Sequence, residues 1–164
     1  MPRVAVAGIG HELCGDDAAG PVLARTLKQT YNHQGDGHVL VIDAGPAPEN
    51  CCSQLRRFDP DLVLLVDTAQ LGSAPGTIRW LTWQDTLGLS ASTHTLPLHL
   101  LATYLTGELG CQVALLGIQP ANLSVGARLS PEVKRAVITI AKSLASALSM
   151  ENREASAGRP WAYS

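Results

Sequence analysis

Four nearly continuous runs of apolar residues constrain the fold of this chain more than any other feature. They cover residues 3–9, 38–44, 61–69 and 111–118. Because they are apolar at almost every position rather than at every second one, they favour strands covered on both faces. A fifth run, residues 76–83, alternates between polar and apolar side chains. It follows the third run after a loop too short for a helical crossover, so we expect an antiparallel edge strand.

Helical patterns occupy the intervals between these runs. They predict helices over residues 18–30, 48–58, 97–110 and 131–149. The last pattern is the clearest, because Ser130 suits an N-cap and Pro131 suits the first helical position. Strands and helices that alternate through short connections predict an α/β fold. We expect a three-layer sandwich: a five-stranded, mostly parallel sheet with one antiparallel edge strand and helices on both faces.

The chain of 164 residues has a suitable length for one domain, which we place over residues 1–149. Residues 150–164 are polar and without pattern, and we expect a flexible tail there. Hydrophobic residues make up 46% of the chain and charged residues 16%, which favours a packed core over disorder.

The charge and the apolar segments exclude several classes of partner. The net charge is −2 and no basic run occurs, which argues against nucleic acid and anionic membranes. No segment approaches the roughly 18 apolar residues of a membrane span. The N-terminal apolar run is too short for a signal peptide, so we expect a cytoplasmic protein. Cys14, Cys51, Cys52 and Cys111 form no C-x-x-C pair, and we expect free thiols rather than structural zinc or disulfides.

The stretch "GIGHELCGDD", residues 8–17, partly fits three kinds of site. A dinucleotide-binding turn needs a third glycine where this chain has Leu13, and Asp16 and Asp17 would repel a pyrophosphate at the helix N-terminus. A zinc-protease helix needs a second histidine where this chain has Gly15. Both of these sites are therefore excluded, and the pair of acids remains as the candidate.

Ligand-type residues from three distant segments are expected to meet at one edge of the sheet. Asp17 follows the first strand, Asp67 ends the third, and His94 precedes the helix predicted over 97–110. Groups at the carboxyl ends of parallel strands converge on one crevice. Two carboxylates and one imidazole suit a divalent transition metal with open coordination positions. Each residue also has an ordinary alternative: either acid of the pair could cap the first helix, and a lone histidine is usually structural or exposed.

The same residues carry a resemblance to a known family. The chain resembles the endopeptidases that mature [NiFe]-hydrogenases, and within them those that serve the formate-hydrogenlyase type of hydrogenase. The matching stretches, in order along the chain, are "GIGHELCGDDAAGP" (8–21), "VIDAGPAPEN" (41–50), "LVLLVDTAQLGSAPGTIR" (62–79), "STHTLPL" (92–98) and "LLGIQP" (115–120). One matching stretch alone would be weak support for the resemblance. Five stretches in family-like order and spacing are specific for this family.

The resemblance implies a nickel site made by Asp17, Asp67 and His94, with the second acid of the pair as the ligand. It implies a single cut near the C-terminus of the nickel-loaded large-subunit precursor of a [NiFe]-hydrogenase. Nickel would arrive with this substrate rather than as a resident cofactor. We expect a monomer that binds this precursor and neither nucleic acid nor membrane.

The mechanism implied is hydrolysis without a protein nucleophile. No Ser-His-Asp pattern occurs, and Cys14 has no evident base partner. The metal could polarise the scissile carbonyl or lower the pKa of a bound water, and Asp17 or Asp67 could act as general base. The rival interpretation is a non-catalytic nickel-recognising checkpoint or chaperone that binds the same precursor without cutting it.

One residue departs from the family pattern. The family usually has Asn after G-x-G, and this chain has His11. The imidazole could orient the loop in another way, or supply a fourth metal contact. Substrate contacts are predicted for His11, Asp16, Asp43 and Gln119, for which turn formation is the ordinary alternative.

Overall fold

Five strands form one mixed sheet at the centre of the molecule, with the order β2-β1-β3-β5-β4. The computed structural model describes residues 1–31, 37–82, 85 and 97–156. The strands are β1 (Val4–Ile9), β2 (Val39–Gly45), β3 (Leu62–Thr68), β4 (Ile78–Leu81) and β5 (Gln112–Ile118). All five strands predicted from the sequence are present, with ends that differ by one or two residues.

The sheet is parallel except at one edge, as the sequence predicts. β1 pairs with β2 and β3, and β3 pairs with β5, all in parallel, whereas β4 pairs antiparallel with β5. The strand that follows β3 in the sequence is therefore not its neighbour in the sheet. Interior positions require apolar side chains on both faces, which β5 supplies. In β4, Ile78, Arg79 and Trp80 are exposed, which an edge strand tolerates.

The described residues include four α-helices, each at a position that the sequence predicts. They are α1 (Ala19–Thr30), α2 (Cys52–Phe58), α3 (Leu98–Leu109) and α4 (Pro131–Ser156). One 3₁₀ turn, Gly15–Ala18, precedes α1, and another, Pro48–Cys51, precedes α2. The predicted helix over 48–58 is thus a 3₁₀ turn that continues as an α-helix.

The two faces of the sheet have separate apolar cores. On one face, Val6, Val66 and Ile118 pack with buried residues of α1 and α4, such as Leu23 and Val137. On the other face, Ala7, Leu65 and Leu115 pack with Leu55 of α2 and Leu105 of α3. Helices on both faces of one sheet make the predicted three-layer α/β sandwich.

The helix predicted to end at residue 149 continues to Ser156, so the predicted end of this helix is wrong, whereas the flexibility expected of the tail stays a prediction. The apolar stripe that guided the prediction does end at Leu148, which is buried. Beyond the core a helix needs only residues of good helix propensity, and the sequence "MENREAS" has several of them. Residues 157–164 of the predicted tail lie outside the described residues.

Helix α1 contacts strand β1 through two glycines. A Cβ atom on Gly8 would lie 1.9 Å from the carbonyl oxygen of Gly20, and one on Gly20 would lie 2.1 Å from that of Ile9. Any side chain at either position would force the helix away from the strand. This contact holds the start of α1, and the acidic turn before it, against the carboxyl end of β1.

Within the part of the chain that the structure describes, no helix combines the length and apolarity needed to cross a membrane.

Candidate active site

The candidate site lies at the carboxyl ends of β1 and β3. The chain leaves β1 to form β2 on one side of it and later returns to form β3 on the other side. At such a switch in direction the two following loops separate and leave a crevice, the usual place for ligand binding in open α/β sheets. The acidic turn after β1 and the last residues of β3 flank this crevice.

The Asp17 side chain is held at the site by two hydrogen bonds. It is 3% exposed and lies in the 3₁₀ turn before α1. Its Oδ2 accepts the backbone N–H of His11 at 2.8 Å, and its Oδ1 accepts the hydroxyl of Thr68 at 3.0 Å. These bonds fix the carboxylate between the loop after β1 and the end of β3.

Asp67 occupies the last but one position of β3, where its side chain is 6% exposed. Its Oδ1 accepts the backbone N–H of Thr68 at 2.8 Å. Thr68 therefore donates to both carboxylates, through its hydroxyl to Asp17 and through its backbone to Asp67. Thr68 thus links two acids that are 50 residues apart in the sequence.

Thr68 is the residue of this site that sequence analysis missed. It directly follows Asp67 in the motif "VDT". A hydroxyl beside a carboxylate at the end of a buried strand is a signal that could have identified it, because a buried carboxylate needs donors.

The third predicted ligand, His94, lies outside the described residues. Among the residues that are described, no group of three or more His, Cys, Asp or Glu side chains could hold a metal ion. The metal site made by Asp17, Asp67 and His94 therefore stays a prediction.

The His11 side chain stabilises the loop after β1. Its Nδ1 accepts the backbone N–H of Leu13 at 3.2 Å, while its own backbone N–H donates to Asp17. An asparagine side chain accepts the same N–H, two residues further on, when it forms an Asx turn. The imidazole of His11 thus makes the turn-forming contact that the family's usual Asn could make at this position. A metal-binding role for His11 stays a prediction.

Asp16 points away from Asp17, into the interior. It is 0% exposed, and its carboxylate accepts the backbone N–H groups of Ala121, Asn122 and Ser130 at 2.6–3.0 Å. It also accepts the hydroxyl of Ser130 at 3.0 Å. The observed contacts of Asp16 therefore fix the loop after β5, and the substrate contact predicted for it stays untested.

Gln119, the residue after β5, is also engaged within the protein. Its Oε1 accepts the backbone N–H of Leu71 at 2.6 Å. Its Nε2 donates to the side chain of Gln70 and to the carbonyl of Pro120 at 3.0 and 3.1 Å. The 7% exposed side chain thus joins the loop after β3 to the end of β5.

Asp43 lies on the other side of β1, near the end of β2, and is exposed. Its Oδ1 accepts the backbone N–H of Gly45 at 3.1 Å. Its Oδ2 is 3.2 Å from the Nη1 of Arg25, which also pairs with Glu12. Asp43 is therefore a surface ion-pair residue at the rim of the crevice. Among the predicted substrate contacts it is more accessible than Asp16 or Gln119.

All four cysteines are free, as the sequence predicts. Burial raises the pKa of the Cys51 thiol to about 12, and burial also raises the pKa values of Cys52 and Cys111. A cysteine nucleophile acts as the thiolate. Cys51, Cys52 and Cys111 are therefore protonated at neutral pH and unsuited to nucleophilic catalysis.

Comparison with known proteins places this chain in one family. Residues 21–147 match the family model HycI, described as hydrogenase maturation protease. The chain is 34% identical over 137 residues to the hydrogenase 3 maturation protease of Escherichia coli K12, covering 83% of this chain and 85% of that protein.

Solved structures give the same result. The crystal structure of the [NiFe] hydrogenase maturation protease HycI from Thermococcus kodakarensis aligns with a TM-score of 0.81 at 32% identity, over 90% of this chain and 93% of that one. The solution structure of the endopeptidase HycI from Escherichia coli aligns with a TM-score of 0.76 at 32% identity, over 88% and 90%. The resemblance noted in the sequence is confirmed, and the chain is a protease that belongs to the HycI family of hydrogenase maturation proteases.

Proposed function

We propose that this protease removes a C-terminal peptide from the nickel-loaded large-subunit precursor of a [NiFe]-hydrogenase. The observation that carries the proposal is the pair Asp17 and Asp67, joined through Thr68 at the crevice of a HycI-family fold. The rival, a checkpoint that binds without cutting, is not favoured, because the similar proteins are named as proteases or endopeptidases.

The nickel ion enters the proposal as part of the substrate. Asp17 and Asp67 would contact it together with His94, since carboxylate and imidazole ligands suit Ni²⁺ with open positions. The two carboxylates fit this role because both are nearly buried and both accept a hydrogen bond from Thr68, and a bound cation would offset the cost of burying their charge. The ion would polarise the carbonyl of the peptide bond to be cut.

The protein's own groups would handle the protons of the hydrolysis. Water adds its oxygen to the carbonyl carbon while a carboxylate of Asp17 or Asp67 accepts its proton. The C–N bond then breaks, and the same proton goes to the departing amine. We place no covalent intermediate on Cys51, Cys52 or Cys111, because burial raises the pKa of each thiol and keeps it protonated at neutral pH.

We also propose that the protein works as a monomer in the cytoplasm. The reduced state of all four cysteines supports the location, because disulfides are rare in that compartment. The mass of the protease–precursor complex in solution tests the oligomeric state.

The decisive experiment mixes the purified protease with nickel-loaded precursor and measures the mass of the product. We expect a loss equal to one C-terminal peptide. Asp67→Ala and His94→Ala should abolish the cut, whereas Asp61→Ala should not. Asp61 is a matched control because it precedes β3, at the opposite end of the strand, and only caps the N-terminal backbone at Arg3.

Two outcomes would contradict the proposal. Cleavage that is unchanged in both Asp67→Ala and His94→Ala would exclude the site. Binding of the precursor without any loss of mass in the wild type would favour the checkpoint.

A further inference from the structure

Two loops at the carboxyl edge of the sheet each expose a large apolar side chain. Leu13, in the loop after β1, is 65% exposed, and Val125, in the loop between β5 and α4, is 82% exposed. A single exposed Leu or Val is ordinary on a protein surface. These two differ from scattered ones because their loops are bonded to each other.

Hydrogen bonds join the two loops at the positions of these side chains. The backbone N–H of Gly126 donates to the carbonyl of Leu13 at 2.7 Å, and that of Asp16 donates to the carbonyl of Asn122 at 2.8 Å. We call this contact between residues 13–16 and 121–130 the loop junction. It consists of these two backbone hydrogen bonds and the bonds to the Asp16 carboxylate. Leu13 and the residue after Val125 share one of its bonds, so the two exposed apolar residues are neighbours at the junction.

The two loops of the junction are closely packed. Gly15 has a φ of +58°, and a Cβ atom there would lie 2.2 Å from the carbonyl oxygen of Asn122. The loops are therefore in contact at their backbones, and the buried Asp16 carboxylate holds them from within. Apolar groups on a fixed backbone lose little conformational entropy when a partner covers them.

Hydrogen bonds connect Leu13 to the candidate active site. Leu13 donates its backbone N–H to the His11 ring, and His11 donates its own to the Asp17 carboxylate. A peptide whose side chain covered Leu13 would therefore lie beside the acid that the proposed function uses.

We propose that Leu13 and Val125 form a docking surface that binds an apolar side chain of the hydrogenase precursor next to the peptide bond that is cut. The proposal rests on the proposed function, since that function names the partner. It adds the residues by which the protease recognises the chain around the cut. A protease that makes a single cut needs such contacts outside the reacting atoms to position its substrate.

The test measures binding and cleavage separately, with nickel-loaded large-subunit precursor from the same organism. The variants are Leu13→Ser, Val125→Ser and the double variant. Met150→Ser is the matched control, because Met150 is 60% exposed on α4. We expect each single variant to raise the Kd and the KM about tenfold, with kcat changed less than twofold. The control should match the wild type, and thermal unfolding should show that all variants are folded.

Failure of this inference is distinguishable from failure of the proposed function. Unchanged Kd and KM in the double variant would overturn the docking surface while the cut itself stands. A wild type that binds the precursor without cutting it would overturn the function, and the Kd values would still decide on the docking surface. A wild type that neither binds nor cuts would overturn both.

Discussion

Asp16 and Asp17 are adjacent in the sequence, but their carboxylates face different parts of the molecule. Asp16 accepts hydrogen bonds from the loop after β5, and Asp17 accepts one from the end of β3. Successive residues of the 3₁₀ turn point in different directions, so one acid can stabilise the loop junction while its neighbour faces the crevice.

Asp16→Ala should lower the free energy of unfolding by about 3 kcal/mol. The substitution removes the acceptor of three backbone N–H groups and one hydroxyl, and an unmet buried donor costs more than a hydrogen bond contributes. Urea denaturation checks the value. Asp43→Ala is the control, with a loss below about 1 kcal/mol expected at an exposed site. Equal losses in the two variants would contradict the role given to Asp16.

Cys51 should make the protein less stable in alkali. Its pKa rises from the ordinary 9.0 to about 12 in the folded state, mainly through burial. Below pH 9 both states hold the proton and the group has no effect. Between about 9 and 12 the folded state binds more protons than the unfolded state, so the free energy of unfolding falls as pH rises.

Denaturation of the wild type and of Cys51→Ala over that pH range checks this prediction. The decline should be shallower in the variant, by at most about 1.4 kcal/mol per pH unit. Parallel curves for the two proteins would show that Cys51 ionises equally in both states.

At the scale of residues, sequence analysis found the acids at strand ends but not the contacts of Asp16 and Gln119. Asp17 and Asp67 could be predicted because strand ends follow from local hydrophobic patterns. The partners of Asp16 lie 105–114 residues away, and nothing local indicates them. Thr68 was missed for a simpler reason, since only the carboxylate beside it was considered.

Among the secondary-structure elements, the contact of α1 with β1 is the one most sensitive to a single methyl group. Gly20→Ala should lower the free energy of unfolding by about 3 kcal/mol, at the upper end of the usual effects of overpacking. The reason is that the new Cβ would lie 2.1 Å from a backbone oxygen. It should also lower the rate of cleavage, since Asp17 lies in the 3₁₀ turn that leads into α1.

Gly107→Ala is the control for this substitution. Gly107 lies within α3, and a Cβ atom there would meet nothing within 4 Å. Alanine should therefore stabilise the helix by about 0.5–1 kcal/mol. Thermal unfolding and cleavage rates of the two variants give the comparison, and equal behaviour would contradict the close contact.

The element boundaries were predictable where the apolar pattern itself changes. The ends of β1, β3 and β5 agree to within one or two residues, because each run of apolar residues stops at polar or turn-forming ones. The predicted end of α4 was wrong because the helix extends beyond its apolar stripe. The neighbour of β4 could not be predicted, since its partner β5 begins 31 residues later in the sequence.

Across the whole molecule, protection from hydrogen exchange should decrease from the centre of the sheet to its β4 edge. β1 and β3 are paired on both sides and buried, whereas β4 is short, paired on one side and largely exposed. Native-state hydrogen exchange should therefore be slowest in β1 and β3. In β4 it should be roughly tenfold faster or more, because an edge strand opens at a lower free energy than the core strands. Uniform protection would contradict this gradient.

The three-layer architecture was predictable as a whole because strand and helix patterns alternate along the chain. Alternation of this kind leaves few arrangements that bury every apolar run. The family resemblance pointed to the same fold from the motifs, and the TM-score of 0.81 agrees with it. Which loops contact each other was not predictable, because the loop junction depends on backbone groups that every residue has.

The position of β5 between β3 and β4 also sets an order for synthesis on the ribosome. Residues 78–81 emerge well before residues 112–118, so Ile78 and Trp80 have no partner strand while residues 82–111 are translated. The nascent sheet is therefore incomplete until β5 arrives, and during that interval the apolar side chains of β4 are available to a chaperone.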